Sequence, residues 1–207
     1  MQIKIKNLLL LLVSILLISC SLKKQQLPQL PTKTNIHQQW QSHKHLVEKI
    51  TSYKTKGTFA YISPSQKLFA RFNWQKISND EYRLIFLNFI GQKNMDLHIR
   101  PGLVHMIDNN GKSFYSKDTV GMIKKFFGIF IPFNEISYWI LGLPGQSNNF
   151  IVNQRGYIHK INYYNNNKNW IVSYPLYHDD IEPALPADLA IHQGENIIKF
   201  KIDHWSF

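Results

Sequence analysis

Apolar and polar positions alternate along most of the chain beyond residue 57, the period of strands with one buried face, and switch to helical spacing in three places. Thr34 or Asn35 can cap a first helix in which Ile36, Trp40, Val47 and Ile50 share a face, running to about residue 52. Gly57 marks the change to strand. Strands at 58–62 and 67–76 flank the turn Ser63-Pro64-Ser65-Gln66. In the second of them Leu68, Ala70, Phe72 and Trp74 share one face, with Lys67, Arg71, Asn73 and Gln75 opposite, together with Phe69. A third strand at 82–87 is largely apolar on both faces. Met95, Leu97 and Ile99 alternate with Asp96, His98 and Arg100 in a fourth. A fifth at 103–107 runs into Asp108-Asn109-Asn110-Gly111, a hairpin signal. Ser116 is the predicted cap of a helix over 117–127, with Val120, Ile123, Phe126 and Phe127 on it. Asn134 is the predicted cap of a short helix ending at Leu141. Strands resume at 150–153, 157–164, 170–174, 189–192 and 197–203, and Asn165-Asn166-Asn167-Lys168 reads as a tight turn. The pattern predicts a mainly β (α+β) fold: an antiparallel meander of ten or eleven strands, curved or barrel-like, with helices packed on its concave face.

Composition changes this picture in two ways. Hydrophobic residues make up 44% and aromatics 14%, enough for a sizeable core. The net charge of +11 points to an anionic partner without choosing one. The N-terminus then sets the compartment. Lys4 and Lys6 precede an apolar run from 8 to 18, too short to span a bilayer, which reads as a secretory signal. Leu17-Ile18-Ser19-Cys20 ends that run in a bacterial lipobox, and Cys20 is the only cysteine. Residues 1–19 are therefore the predicted signal peptide, removed before Cys20. The thiol would take a diacylglycerol thioether and the freed amine a further acyl chain; several chains anchor stably where one does not. Residues 20–34, rich in Ser, Lys, Gln, Pro and Thr, read as an extended tether, and 35–207 as a single folded domain. Export excludes cytoplasmic nucleic acid as a partner. Ser21, where an Asp would favour retention at the inner membrane, points to the outer membrane, with the domain facing the periplasm.

Catalytic and metal-binding patterns are missing. There is no Gly-x-Ser-x-Gly elbow, and lipidation of Cys20 would leave no free thiol. Asn110-Gly111-Lys112-Ser113 ends like a phosphate-binding loop, but Met106 stands where its first glycine belongs. His43 and His45 are two apart on a predicted helix and cannot share one metal. Asp179, Asp180 and Glu182 read as a solvated acidic loop. The expectation is a protein without catalysis, metal or cofactor beyond the acyl groups on Cys20.

Several segments in order resemble the LolB family of outer-membrane lipoprotein receptors: Gly57-x-Phe59-Ala60-Tyr61-Ile62-Ser63, Ala70-Arg71-Phe72-x-Trp74-Gln75 and Tyr82-Arg83-Leu84. Asn88-Phe89-Ile90-Gly91, Trp139-Ile140-Leu141-Gly142-Leu143-Pro144-Gly145 and Lys168-Asn169-Trp170-x-Val172-x-Tyr174 follow. Pro183-Ala184-x-Pro186-Ala187 and Asp203-His204-Trp205 complete the series. The resemblance implies an unclosed antiparallel β-barrel of about eleven strands with a helical lid over an apolar cavity, LolA/LolB-like. It also implies an activity. A protein of this kind takes a triacylated lipoprotein from the periplasmic carrier LolA and releases its acyl chains into the inner leaflet of the outer membrane, without ATP, as a monomer.

Three acyl chains carry about 40 methylenes, whose exposure to water would cost roughly 30 kcal/mol. A transfer protein must shield them yet bind them less tightly than a bilayer does. Leu68, Phe72, Trp74, Leu84, Phe86, Met95 and Leu97 are the strand candidates for the cavity wall, and Trp139, Ile140 and Trp170 the candidates from the lid side and far strands. Each can equally be ordinary core. In the family, a Leu at the position of Ile90 protrudes and delivers the cargo, so Asn88, Phe89, Ile90 and Gly91 form the candidate membrane-insertion loop. The family commonly has Pro at the position of Phe89; here Phe89 is either a second membrane-seeking side chain or a core plug. Lys67, Arg71, Lys76 and Arg83 are candidates for steering the carrier. A LolA-like lipid-binding lipoprotein with another amphiphilic cargo, and an envelope scaffold or enzyme packed against a partner, are the competing readings.

Overall fold

The structure, a computed structural model, describes residues 33–207 apart from 129, 131 and 166; the predicted signal peptide, Cys20 and most of the tether lie outside the described residues. Eleven strands follow one another: β1 (Tyr53–Ile62), β2 (Lys67–Lys76), β3 (Tyr82–Leu87), β4 (Lys93–Arg100), β5 (Leu103–Asp108), β6 (Ser113–Ser116), β7 (Asn149–Val152), β8 (Ile158–Asn165), β9 (Lys168–His178), β10 (Leu185–Gln193) and β11 (Asn196–Ser206). They form one antiparallel sheet in the order β6-β5-β4-β3-β2-β1-β11-β10-β9-β8-β7. All pairs but one are sequence neighbours joined by hairpins; β1 with β11 welds the two meanders together. The sheet is unclosed, and its edge strands β6 and β7 are joined in sequence by the segment carrying the lid helices, α2 (Thr119–Phe127) and α3 (Phe133–Trp139). The architecture is the antiparallel meander that the pattern predicts, unclosed and lidded by helices as the resemblance implies.

Alternation decides which face is inside. In β2 the buried side chains are Ala70, Phe72 and Trp74, while Phe69, Arg71 and Asn73 point out. β1 buries Tyr53, Thr55, Phe59 and Tyr61 in the same way. Gly57 does not open β1; it sits at an irregularity in the pairing with β11, where a Cβ would lie 1.9 Å from the Lys201 carbonyl oxygen. Only glycine lets the two backbones approach this closely.

The first helix, α1 (Lys33–Glu48), stops short of residue 52. Trp40 packs on Phe150 of β7 at 5.5 Å and His43 on Tyr157 at 4.6 Å, so α1 is held at the β7–β8 side. The cap of α2 is Asp118, whose carboxylate accepts the Gly121 N–H at 2.9 Å, and not Ser116. Ser116 instead accepts the Asp118 N–H through its hydroxyl, one step outside the helix. α3 has no side-chain cap, and Asn134 lies inside it. The turn after β5 adds β6, a short strand outside the predicted set.

Candidate functional site: an apolar chamber, its mouth and a protruding turn

The inward side chains of β1–β4 and β11 meet the lid in a chamber without polar lining. Phe59, Trp74, Leu84, Phe86, Leu97 and Phe200 form its wall; Ile123 of α2 and Phe133 and Ile136 of α3 form its roof. Trp74 and Phe133 stack face to face at 5.3 Å, tying α3 to the sheet. The free volume is about 30 Å³, the room of a single water-sized group.

A second cavity of about 180 Å³ opens at the end of the barrel where β1 ends and β11 begins. Its apolar wall comes from Tyr61, Trp170, Ile191 and Ile198, and the end of the lid contributes Gly128 and Phe130. Lys124, Gln193 and Asn196 give it a polar rim. Lys168 Nζ stands 3.6 Å from the Phe130 ring centre, a cation on an aromatic face at this mouth.

Four of the ten expected wall residues, Trp74, Leu84, Phe86 and Leu97, lie together in the chamber. Phe72 packs edge-on against Phe200 at 5.3 Å, and Met95 is the cross-strand neighbour of Phe86. Leu68 pairs across from Tyr61 at the mouth end and is only partly buried. Trp170 lines the mouth. Trp139 and Ile140 are wholly buried and stand apart from both cavities; Trp139 packs on Tyr163 and Trp170, and its carbonyl accepts the Tyr174 hydroxyl at 2.9 Å. Sequence reasoning missed Phe59 and Phe200, although both sit at inward positions of alternating strands. It also missed Phe133 and Ile136, whose helix is too short to show a period.

The turn between β3 and β4 lies at the same end as the mouth, because Leu87 pairs with Arg71 and the turn extends beyond it. Its frame is polar. The Asn88 side-chain oxygen accepts the N–H groups of Ile90 (3.1 Å) and Gln92 (2.9 Å), and the Gly91 N–H reaches the Asn88 carbonyl at 3.0 Å. Gly91 takes a φ of 83°, which glycine adopts without strain. Phe89 and Ile90 at the tip are 72% and 78% exposed, so Phe89 is not a core plug.

The same frame recurs twice. Asp108 accepts from Asn110 and Lys112 (both 2.9 Å) around Gly111, and Asn153 accepts from Arg155 (2.9 Å) and Tyr157 (3.1 Å) around Gly156. The tips there are Asn109-Asn110 and Gln154-Arg155. The turn is thus built by its first Asn or Asp and its Gly, and it folds with polar tips. Phe89 and Ile90 have no part in forming it.

The charges fall elsewhere than a steering role at the mouth requires. Arg71 and Arg83 are on the outer face, Lys76 is at the far end beside Ile50, and only Lys67 is near the mouth. The cations at the mouth are Lys124 and Lys168. On the outer face Arg83 grips Asp96 with two bonds (2.9 and 2.7 Å) and Lys93 adds a third at 2.8 Å. The Arg83 guanidinium chiefly, against the opposing effect of burial, holds the Asp96 carboxyl down at about 2. Among the described residues no group of His, Asp and Glu is placed to hold a metal ion, and no helix is long and apolar enough to cross a membrane.

Comparison with known proteins bears on this arrangement. The fold aligns with a LolA superfamily protein from Nitrosomonas europaea at a TM-score of 0.53, covering 85% of this chain and 93% of that one at 8% identity. Outer-membrane lipoprotein LolB of Baumannia cicadellinicola is 46% identical over 204 residues, covering 96% of this chain and 95% of the relative. The protein of the same name from Sodalis glossinidius is 44% identical over 198 residues, with the same coverage of 96% and 95%. The family profile described as outer membrane lipoprotein LolB matches residues 51–205, from just before β1 to the end of the sheet. The chain therefore belongs to the LolB family of outer-membrane lipoproteins.

Proposed function

We propose that this protein receives lipoproteins from the carrier LolA, takes their acyl chains between sheet and lid, and inserts them into the inner leaflet of the outer membrane. The observation that carries the reading is the Asn88–Gly91 turn: two large apolar side chains held in water, beside the mouth, on a frame that does not need them. Burying each in an acyl layer gains about 2 kcal/mol. The turn then touches the bilayer first and brings the mouth to it.

The chamber supports the second half of the reading. Its lining is apolar side chains, with the buried Trp74 indole N–H as its one hydrogen-bonding group, so shielding is general and cargo identity is not read there. As it stands it is too small for an acyl chain, and cargo enters by lifting the lid. Part of the binding energy is spent on that opening, which keeps affinity below that of a bilayer. Transfer runs down a series of affinities, carrier to receptor to membrane, and no nucleotide hydrolysis enters. Acyl groups on Cys20 hold the receptor at the leaflet, and one copy suffices. The activity is binding and release, with no bond made or broken.

The test uses a soluble Cys20→Ala form mixed with LolA preloaded with a labelled lipoprotein. Label should move to the receptor and then into liposomes. Phe89→Asn with Ile90→Asn reproduces the polar tip of the β5–β6 turn, so the variant should fold and still accept label. Its delivery to liposomes should fall about tenfold or more. Undiminished delivery by the double variant would refute the role of the turn. A wild-type form that takes no label from LolA would favour a different amphiphilic cargo.

A further inference from the structure

The outer face of β1, β2 and β11 carries a stripe of cations that the chamber and mouth do not use. Strand register lays it out. Thr58 sits between Arg71 on β2 and Lys201 on β11, and Ala60 between Phe69 and Lys199. Farther along β1, Lys56 lies between Asn73 and His204, and Lys54 between Gln75 and Ser206. Adjacent strands are about 4.8 Å apart, so the small side chains of Thr58 and Ala60 floor a shallow trough with basic walls. The trough leads into an open depression of about 360 Å³ lined by Lys54, Lys56, Arg83 and His204 among others.

Lys54, Lys56, Arg71, Lys199 and Lys201 have no ion-pair partner among the described residues. Asp188 lies across from Lys201 on β10, and Asp203 is exposed on β11; neither offsets five cations. Concentrating like charges on one face costs energy unless an anion covers it. The stripe is also continuous with the protruding turn. Phe69 belongs to the stripe, is 52% exposed, and lies at the level where the turn continues past Leu87. Phe69 and the tip of the turn therefore lie at one level of the barrel, with unpaired cations behind Phe69 on the outer face. Apolar side chains to enter the acyl layer, backed by ammonium and guanidinium groups at phosphate depth, are the makings of a membrane-facing surface.

We infer that the convex face of β1, β2 and β11 binds the headgroups of anionic phospholipids, so that the barrel leans on this flank when the Phe89–Ile90 turn is inserted. The inference rests on the membrane-seeking reading of the turn and adds an orientation and a lipid preference to it. With the flank down, the mouth opens sideways along the membrane surface, and acyl chains leave it without crossing open water.

The test compares binding of the Cys20→Ala protein to phosphatidylcholine vesicles with and without phosphatidylglycerol. Lys199→Glu with Lys201→Glu changes two exposed strand positions and should lower the melting temperature by a few degrees at most, because position 201 then faces Asp188 with like charge. It should weaken binding to the phosphatidylglycerol vesicles about tenfold or more, and added salt should erase the difference between the two proteins. Binding to pure phosphatidylcholine should stay as in the parent protein. A dye on Thr58→Cys should respond to vesicles, and a dye on Lys160→Cys of the opposite flank should not. Unchanged binding to the anionic vesicles would overturn the inference, as would equal responses of the two dyes. If the charge reversal instead blocked uptake of label from LolA without vesicles present, the stripe would be a docking site for the carrier and the lipid assignment would be wrong. The double Asn variant of the turn separates the two readings: normal delivery by that variant alongside loss of anionic-vesicle binding in the charge-reversed one would remove the turn and leave the stripe.

Discussion

At the scale of single residues, two buried ionisable groups make acid stability predictable. His43 is buried against Tyr157, and its Nε2 has no hydrogen-bond partner among the described residues. Burial lowers its pKa from 6.5 to about 4. Above pH 6.5 the ring is neutral whether folded or unfolded, and it adds no pH dependence. As pH falls from 6.5 toward 4 the unfolded chain takes up a proton that the folded one refuses, so stability is lost across that window, by about 3 kcal/mol in total. Asp96 acts in a lower window: its stabilisation is full above about pH 4 and disappears as pH falls toward 2. Chemical denaturation at a series of pH values should show both steps. His43→Gln should flatten the first and leave the second; a first step that survives the substitution would mean another group causes it. Neither role is legible in sequence. His43 reads there as one of a helical pair, and only the packing of α1 on Tyr157 buries it.

At the scale of elements, the informative features are backbone approaches and turn frames. Gly57 sits where β1 and β11 join the two meanders, and a methyl group there would collide with main chain rather than with a movable side chain. Gly57→Ala should cost about 2 kcal/mol or more, through forced separation of the β1–β11 pair. A melting temperature equal to that of the parent protein would show that the pair yields more easily than its geometry implies. Gly57 is legible as a break in the helix-to-strand pattern, but not as an irregularity inside a strand, because the Lys201 carbonyl that a side chain would meet is 144 positions away in the chain. The Asx-x-x-Gly turns are the opposite case. Their frames use only neighbouring residues, so all three could be placed from sequence, and the contrast between Phe89-Ile90 and the polar tips stands out once the frames are superposed.

For the whole molecule, the central fact is a chamber smaller than its proposed cargo. One wall must move, and the two lid helices are not equally held. α3 is anchored by the Trp74–Phe133 stack and by the Tyr174 hydroxyl on the Trp139 carbonyl. α2 buries fully only Met122 and Ile123 among its described side chains. Uptake of a lipoprotein should therefore raise hydrogen exchange over α2 while α3 and the central strands keep their protection. Equal loosening of both helices would mean the lid lifts as one piece; no change in either would mean the acyl chains lodge at the mouth alone.

The sequence by itself determined ten of the eleven described strands, the inward faces of β2 and β4, the family and the composition of the protruding turn. Each depends on short-range alternation or on a local motif, which neighbouring residues suffice to specify. Only the tertiary structure decided that Phe59 and Phe200 complete the chamber, that Trp139 and Ile140 stand outside it, and that Trp170 belongs to the mouth. It alone placed Arg71, Lys199 and Lys201 on one outer flank beside Phe69. Those relations depend on the pairing of β1 with β11 and on the descent of the lid, contacts between residues far apart in the chain, and alternation within a strand does not encode which distant strand will lie beside it.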